Sequence, residues 1–260
     1  MIKVILVLLS ISTTVPFYLT AQTTSDTDYN IVSEKLLNAL KNGEETAQYQ
    51  KILKATTFEE LETNLTSDKD KFAFWLNVYN SYIILILSEH PEYYEDRGKF
   101  FKEPYINIGG EKVSFAKIEH GIIRRSQWDL GLGLIRKPFP GKWERKLRVS
   151  KRNYRIHFAL NCGAIACPPV TVYDPINLDK QLAYQTEKYL KKHTTYDKAT
   201  NKVSTTPLFS WFRGDFGGKK GVKKILAAQS LIPSTKVELK FIEYDWTLDI
   251  DNFVETPYSR

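Results

Sequence analysis

The chain is 260 residues long, 42% hydrophobic and 13% aromatic, which is ample for one large folded domain and excludes an intrinsically disordered protein. Its 37 Lys and Arg against 30 Asp and Glu give a net charge of +7. The excess lies mid-chain rather than in a tail, which points to weak attraction toward anionic surfaces, such as a cell envelope, or anionic ligands, and away from nucleic-acid recognition.

Met1–Ala21 reads as a signal peptide. Lys3 supplies the positive start, Val4–Ile11 the apolar stretch and Leu19-Thr20-Ala21 a small-residue cleavage site. The apolar run is too short to span a bilayer, so the expected mature protein begins near Gln22, is exported to the periplasm or beyond, and keeps no membrane span. Residues 22–28 are polar and read as a disordered leader.

Tyr29–Asn42 places Ile31, Leu36, Leu37 and Leu40 at helical spacing before Gly43. Two shorter helices are expected over Glu44–Ala55 and Phe58–Asn64. Asp68–His90 is the longest regular element and is apolar nearly all round, which predicts a helix buried in the centre of a domain. Asn77 and Asn80 then sit as polar groups on a core helix. They either tie down neighbouring loops or serve a site, Asn77 in binding and Asn80 in chemistry.

Tyr105–Val113 reads as a hairpin turning at Gly109-Gly110, followed by a helix over Phe115–Arg125 that carries Glu119 and His120. Periodicity is lost from Ser126 to Tyr154, a basic loop that holds Trp128 and Trp143 and is expected to cover a substrate. Arg155–Leu160 alternates like a strand before breaking at Gly163 and Pro168. A helix is expected over Asn177–His193, a strand over Lys202–Thr205, and a short helical turn over Pro207–Phe212. A joint at Gly214–Gly218, a helix over Lys219–Gln229 and an alternating strand over Lys236–Glu243 complete the pattern. The fold class is therefore α+β: a helix-rich single domain, residues 29–251, with a small, mainly antiparallel sheet around a buried central helix. A tail follows over residues 252–260.

The two cysteines, Cys162 and Cys167, lie five positions apart and admit three readings. A disulfide suits an exported protein. A nucleophilic Cys162 needs an imidazole nearby to lower its pKa. His157 falls on the opposite face if the strand is regular, so His120 is the freer base, with Glu119, Asn80 or Asp215 as orienting groups. An α-helix would turn Glu119 about 100° from His120, which leaves it a poor partner for that ring. The N–H groups of Gly163 and Ala164 are candidate oxyanion donors, and Cys167 a neighbouring contact. A Cys2His2 metal set fits no common zinc spacing, and neither metal nor cofactor is expected. No P-loop, GxGxxG, HExxH or GxSxG pattern occurs.

Three blocks carry a resemblance: Phe74–Asn80 (FWLNVYN), Ile118–Arg124 (IEHGIIR) and Arg155–Ala164 (RIHFALNCGA) with Cys167-Pro168-Pro169. With Trp211, Asp215-Phe216 and Tyr244-Asp245-Trp246 they resemble the domain-of-unknown-function 547 family over about Lys71–Leu248. The resemblance implies that Asn77, Asn80, Glu119, His120, His157, Cys162 and Cys167 are family motif positions, but it brings no settled activity. Intracellular plant members of the family argue against an obligatory disulfide. The resemblance further suggests a papain- or transglutaminase-like scaffold, circularly permuted because histidine precedes cysteine. The expected function is a cysteine-centred hydrolase or acyl transferase acting on an amide or peptide-like envelope substrate. The alternative is a non-catalytic binding module whose Cys162–Cys167 bridge shapes a recognition loop.

Overall fold

The fold is described by a computed structural model, which covers residues 27–258. The expected signal peptide, residues 1–21, lies outside the described residues, as does most of the expected leader; Asp28 caps the first helix by accepting from the Asn30 and Ile31 N–H groups.

Helices α1 (Tyr29–Asn42), α2 (Ala47–Ala55), α3 (Phe58–Asn64) and α4 (Asp68–Glu89) open the chain. A capping box starts α4, with Ser67 accepting from the Asp70 N–H while the Asp70 carboxylate accepts from the Ser67 N–H. The residues from Phe72 to Ile84 on α4 are all buried, as expected of a helix without a polar face. A 3-10 turn at Pro91–Asp96, α5 (Arg97–Phe100) and the antiparallel hairpin β1 (Ile106–Ile108)/β2 (Glu111–Val113) follow.

Three segments differ from the sequence expectation. The helix after the hairpin continues as a π-helix over Lys117–Ile123, with the Arg124 N–H bonded to the Glu119 carbonyl. The basic loop holds a short helix, α6 (Lys142–Leu147). The third segment, Tyr154–Phe158, is a 3-10 turn rather than a strand, capped by the Asn153 side chain. The alternation misleads because His157, counted as an outward polar group, is as buried as Ile156 and Phe158. A turn with both sides covered suits that burial better than a half-exposed strand.

The chain ends with α7 (Leu178–Lys192), β3 (Thr195–Asp197), β4 (Lys202–Thr205), α8 (Leu208–Trp211), α9 (Gly218–Ala228) and β5 (Glu238–Phe241). The domain is helix-rich α+β, as expected. Its strands form two separate small sheets, the larger one mixed: β3 is antiparallel to β4, and β4 parallel to β5. The Gly214–Gly218 joint is packed, with Phe216 buried. The tail pairs with the body through the Val170↔Phe253 bridge.

Two main hydrophobic clusters and a third of Leu37, Ile84 and Val170 make the core. The largest surrounds α4 and takes in α1, the hairpin and the π-helix; the second joins α7, β4, α8 and α9. The 154–158 turn lies at their junction, with Ile156 in the first cluster and Phe158 in the second.

Candidate functional site

At that junction lies a cavity of about 360 Å³, within the size range of small-molecule sites. Its polar lining is Glu119, His120, Asp129, His157 and Cys162. Tyr79, Phe101 and Phe212 supply apolar walls, and Trp211, Tyr244 and Trp246 form a cluster of rings with centroids 4.7–5.5 Å apart.

The two histidines come from the π-helix and the 3-10 turn and are linked through Arg124, which contacts His120, and the buried Asp215 carboxylate, which contacts His157. Asp215 Oδ2 accepts from His157 Nε2 at 2.9 Å and from Arg124 Nε at 2.7 Å, while Oδ1 accepts from Arg152 Nη1 at 2.6 Å. Asp215 reaches this point because Gly133 and Gly214 pack backbone on backbone. A Cβ at Gly214 would lie 2.4 Å from the Gly133 carbonyl oxygen, and one at Gly133 would lie 2.8 Å from Asp215 Oδ1. Burial alone would raise the Asp215 carboxyl, but His157 and Arg124 outweigh it and hold it at about 2. The carboxylate is therefore ionised. Burial keeps His157 below its ordinary value despite the Asp215 bond. The ring is neutral at neutral pH, with Nε2–H donating to Asp215 and Nδ1 unprotonated.

His120 has the opposite arrangement. Arg124 Nη1 lies 2.7 Å from His120 Nδ1, and a guanidinium can only donate. His120 Nδ1 is therefore an acceptor and the proton sits on Nε2. Burial is the largest influence on this ring and lowers it; Glu119 pulls it back up and Arg124 pushes it down. Glu119 Oε1 is 3.5 Å from Nδ1. Because Nδ1 carries no proton, that contact is not a hydrogen bond, and Glu119 Oε1 is buried without a hydrogen-bond partner among the described residues. Glu119 and His120, successive residues of the π-helix, both line the cavity.

Cys162 and Cys167 form a disulfide. The Cys162 N–H donates to Cys167 Sγ at 2.9 Å and the Tyr244 hydroxyl donates to the same sulfur at 3.3 Å. In this bridged state neither sulfur is a nucleophile, and the Cys2His2 set is not assembled. Among the described residues no group of three or more His, Cys, Asp or Glu side chains is arranged to hold a metal ion.

The remaining candidates lie elsewhere. Asn80 Nδ2 donates to the Ala159 carbonyl at 3.0 Å and its Oδ1 accepts from the Asn161 N–H at 2.9 Å, so it fastens the turn and orients no histidine. Asn77 clasps Tyr173 in the same way, through the carbonyl at 2.7 Å and the N–H at 2.9 Å. The Gly163 N–H already donates to Asn161 Oδ1 at 2.7 Å, and neither Gly163 nor Ala164 lines the cavity. Trp143 packs edge-on against Trp75 in the core and donates from Nε1 to the Gly109 carbonyl. Trp128 is half exposed and also off the cavity lining. The basic loop reaches the site through Asp129 and Leu132 in the cavity wall and Arg152 at Asp215. Sequence reading passed over Arg124 and Arg152. The i, i+4 spacing of His120 and Arg124 was the available signal for the first.

No helix among the described residues is long and apolar enough to cross a membrane. No curated protein and no solved structure matches the chain, so nothing carries the papain-like comparison further. Residues 63–190 match the model of the family described as "Protein of unknown function, DUF547"; that span contains FWLNVYN, IEHGIIR and the bridged cysteine turn, and the chain belongs to this family.

Proposed function

We propose that this is an exported protein whose cavity binds a compact amide- or peptide-like molecule of the cell envelope, with the Cys162–Cys167 bridge fixing one wall. The observation that carries this reading is the pairing of opposite hydrogen-bond roles in one apolar cavity. Glu119 lines the cavity with Oε1 buried and without a hydrogen-bond partner among the described residues, and His120, its Nδ1 occupied by Arg124, presents its proton on Nε2. An amide offers the complement, an N–H for the carboxylate and a carbonyl for the imidazole. Its polar group desolvates at little cost where both partners are already in place. The excess positive charge supports attraction to an anionic envelope surface.

The test uses 3-phenylpropanamide and the matching methyl ester, methyl 3-phenylpropanoate, which has no N–H, titrated against tryptophan fluorescence. The amide should bind at least about ten-fold tighter than the ester, because the ester leaves the carboxylate unpaired. Glu119→Gln should erase most of that preference, since its side-chain carbonyl is a weaker acceptor and its amino group competes with the ligand's N–H. Equal affinities for amide and ester would overturn the reading.

A second reading, a thiol-dependent hydrolase or acyl transferase, is favoured by one observation: Cys162 lines the same cavity as His120 and His157. It requires the bridge to be opened first. Thiol titration of the purified protein separates the two readings. No free thiol before reductant and no rapid alkylation of Cys162 below neutral pH after it supports the binding module; a fast-alkylating Cys162 supports the enzyme.

A further inference from the structure

The basic loop holds a run of large apolar side chains that the core does not use. Leu130, Leu134 and Phe139 are 72%, 68% and 89% exposed, and Ile135 is half exposed beside Trp128. Isolated exposed leucines are ordinary, but several large apolar groups within one loop mark a contact surface. The loop is held in shape rather than left to collapse. The Trp128 N–H bonds to the Ile135 carbonyl at 3.0 Å, the Lys137 N–H to the Ser126 carbonyl at 2.8 Å, and Gln127 pairs with Arg136 as an antiparallel bridge. Its inner edge is fixed as well, by the Gly214 N–H on the Leu132 carbonyl and Arg152 on the Gly133 carbonyl, both at 2.8 Å. These bonds anchor the backbone while the apolar side chains stand in solvent.

We propose that this loop docks the protein on an anionic phospholipid bilayer, with Leu130, Leu134, Ile135 and Phe139 entering the interface and the surrounding cations meeting the headgroups. Charge selects that occupant. From Arg125 to Arg152 the chain has nine Lys and Arg against two acids, Asp129 and Glu144, a net of +7 that equals the charge of the whole chain. Arg136 and Lys142 are exposed, with no acidic partner among the described ion pairs. Apolar side chains inserted at the acyl boundary with cations at headgroup level are the physical recipe for peripheral membrane binding. A neutral apolar partner would leave these cations unanswered. Asp129 and Leu132 belong both to the loop and to the cavity wall, so docking would bring the cavity to the membrane surface. The inference deepens the envelope attraction proposed above and rests on it.

The test is co-sedimentation of the full mature chain with vesicles of phosphatidylcholine alone and of phosphatidylcholine mixed with phosphatidylglycerol. Binding to the mixed vesicles should exceed binding to the neutral ones by about ten-fold or more and should weaken in high salt. Leu134→Ser with Phe139→Ser should lower it by about ten-fold or more while leaving the melting temperature unchanged. Arg136→Gln with Lys142→Gln should lower it less. Charge-dependent binding that the Leu134/Phe139 variant leaves intact overturns loop insertion and spares only the general attraction. Absence of binding to either vesicle overturns both. Sedimentation analysis adds the last outcome: a dimer that the Leu134/Phe139 variant dissociates, in a protein that ignores vesicles, assigns the loop to self-association and sinks the proposal.

Discussion

Two of the sets of buried polar groups in this domain are satisfied in different ways. The amides of Asn77 and Asn80 on α4 bond chiefly to backbone groups of the turns that pass them, donor to carbonyl and carbonyl to N–H, with Ser33 Oγ as a further acceptor for Asn77 at 3.3 Å. The second set, Glu119, His120, Arg124, Arg152, His157 and Asp215, bonds chiefly side chain to side chain and leaves Glu119 Oε1 and Arg124 Nη2 buried without hydrogen-bond partners. A group whose valences are met chiefly by backbone serves the fold. A charged network with unmet valences beside a cavity costs stability that hydrophobic packing would not, which is why it is the candidate site.

Removing the charge that holds the second set together should have the largest effect. Asp215→Asn keeps the shape but leaves the Arg124 and Arg152 guanidinium groups facing a neutral amide, one of them almost wholly buried. Breaking one side of such a pair costs about 3–5 kcal/mol, to be read from urea unfolding. A loss under about 1 kcal/mol would mean that water reaches the network and screens it. Asn80→Ala tests the first set. It orphans the Ala159 carbonyl and the Asn161 N–H in a buried turn, at a cost of about 2–3 kcal/mol. The two variants should part company in the folded fraction. Asn80→Ala should leave the tautomers of His120 and His157 unchanged by nitrogen NMR, whereas Asp215→Asn should disturb His157.

The first set was legible in the sequence and the second only in fragments. A helix apolar on every side forces any polar residue on it to find a partner, so Asn77 and Asn80 announce buried hydrogen bonds without saying to what. The Gly109-Gly110 hairpin was equally plain, since both glycines take positive φ. Asp215 was visible as a candidate orienting group, but its contact with His157 depends on Gly133 and Gly214 meeting across the fold, which no local pattern encodes. His157 itself defeated the reading of its own segment. A histidine counted as polar gives Arg155–Leu160 a false alternation, and only its buried partner shows why that side is inward. The π-helix was hidden for a related reason. Its wider turn leaves no mark on an apolar pattern as short as Ile118, Ile122 and Ile123, yet this segment carries both Glu119 and His120 into the cavity wall.

Acid pH gives the smallest of these effects near neutrality and the cleanest division between the sets, because amides do not titrate and the network does. Burial holds His120 and His157 below the ordinary histidine value of 6.5, and His193 at about 4. Below pH 6.5 the unfolded chain therefore binds protons that the folded chain refuses, and stability falls as the pH drops from there. Asp215, held at about 2 against an ordinary 3.8, adds stability that is fully present above 3.8 and is lost as the pH falls toward 2. Urea midpoints measured from neutral to acid pH should thus show one decline beginning near 6.5 and a second below 4. His157→Gln should flatten part of the first, while Asn80→Ala should lower the whole curve without changing its shape. If Asn80→Ala altered the slope as much as His157→Gln, the amides and the charged groups would be one coupled system, and the division between fold and site drawn from their hydrogen bonds would fail.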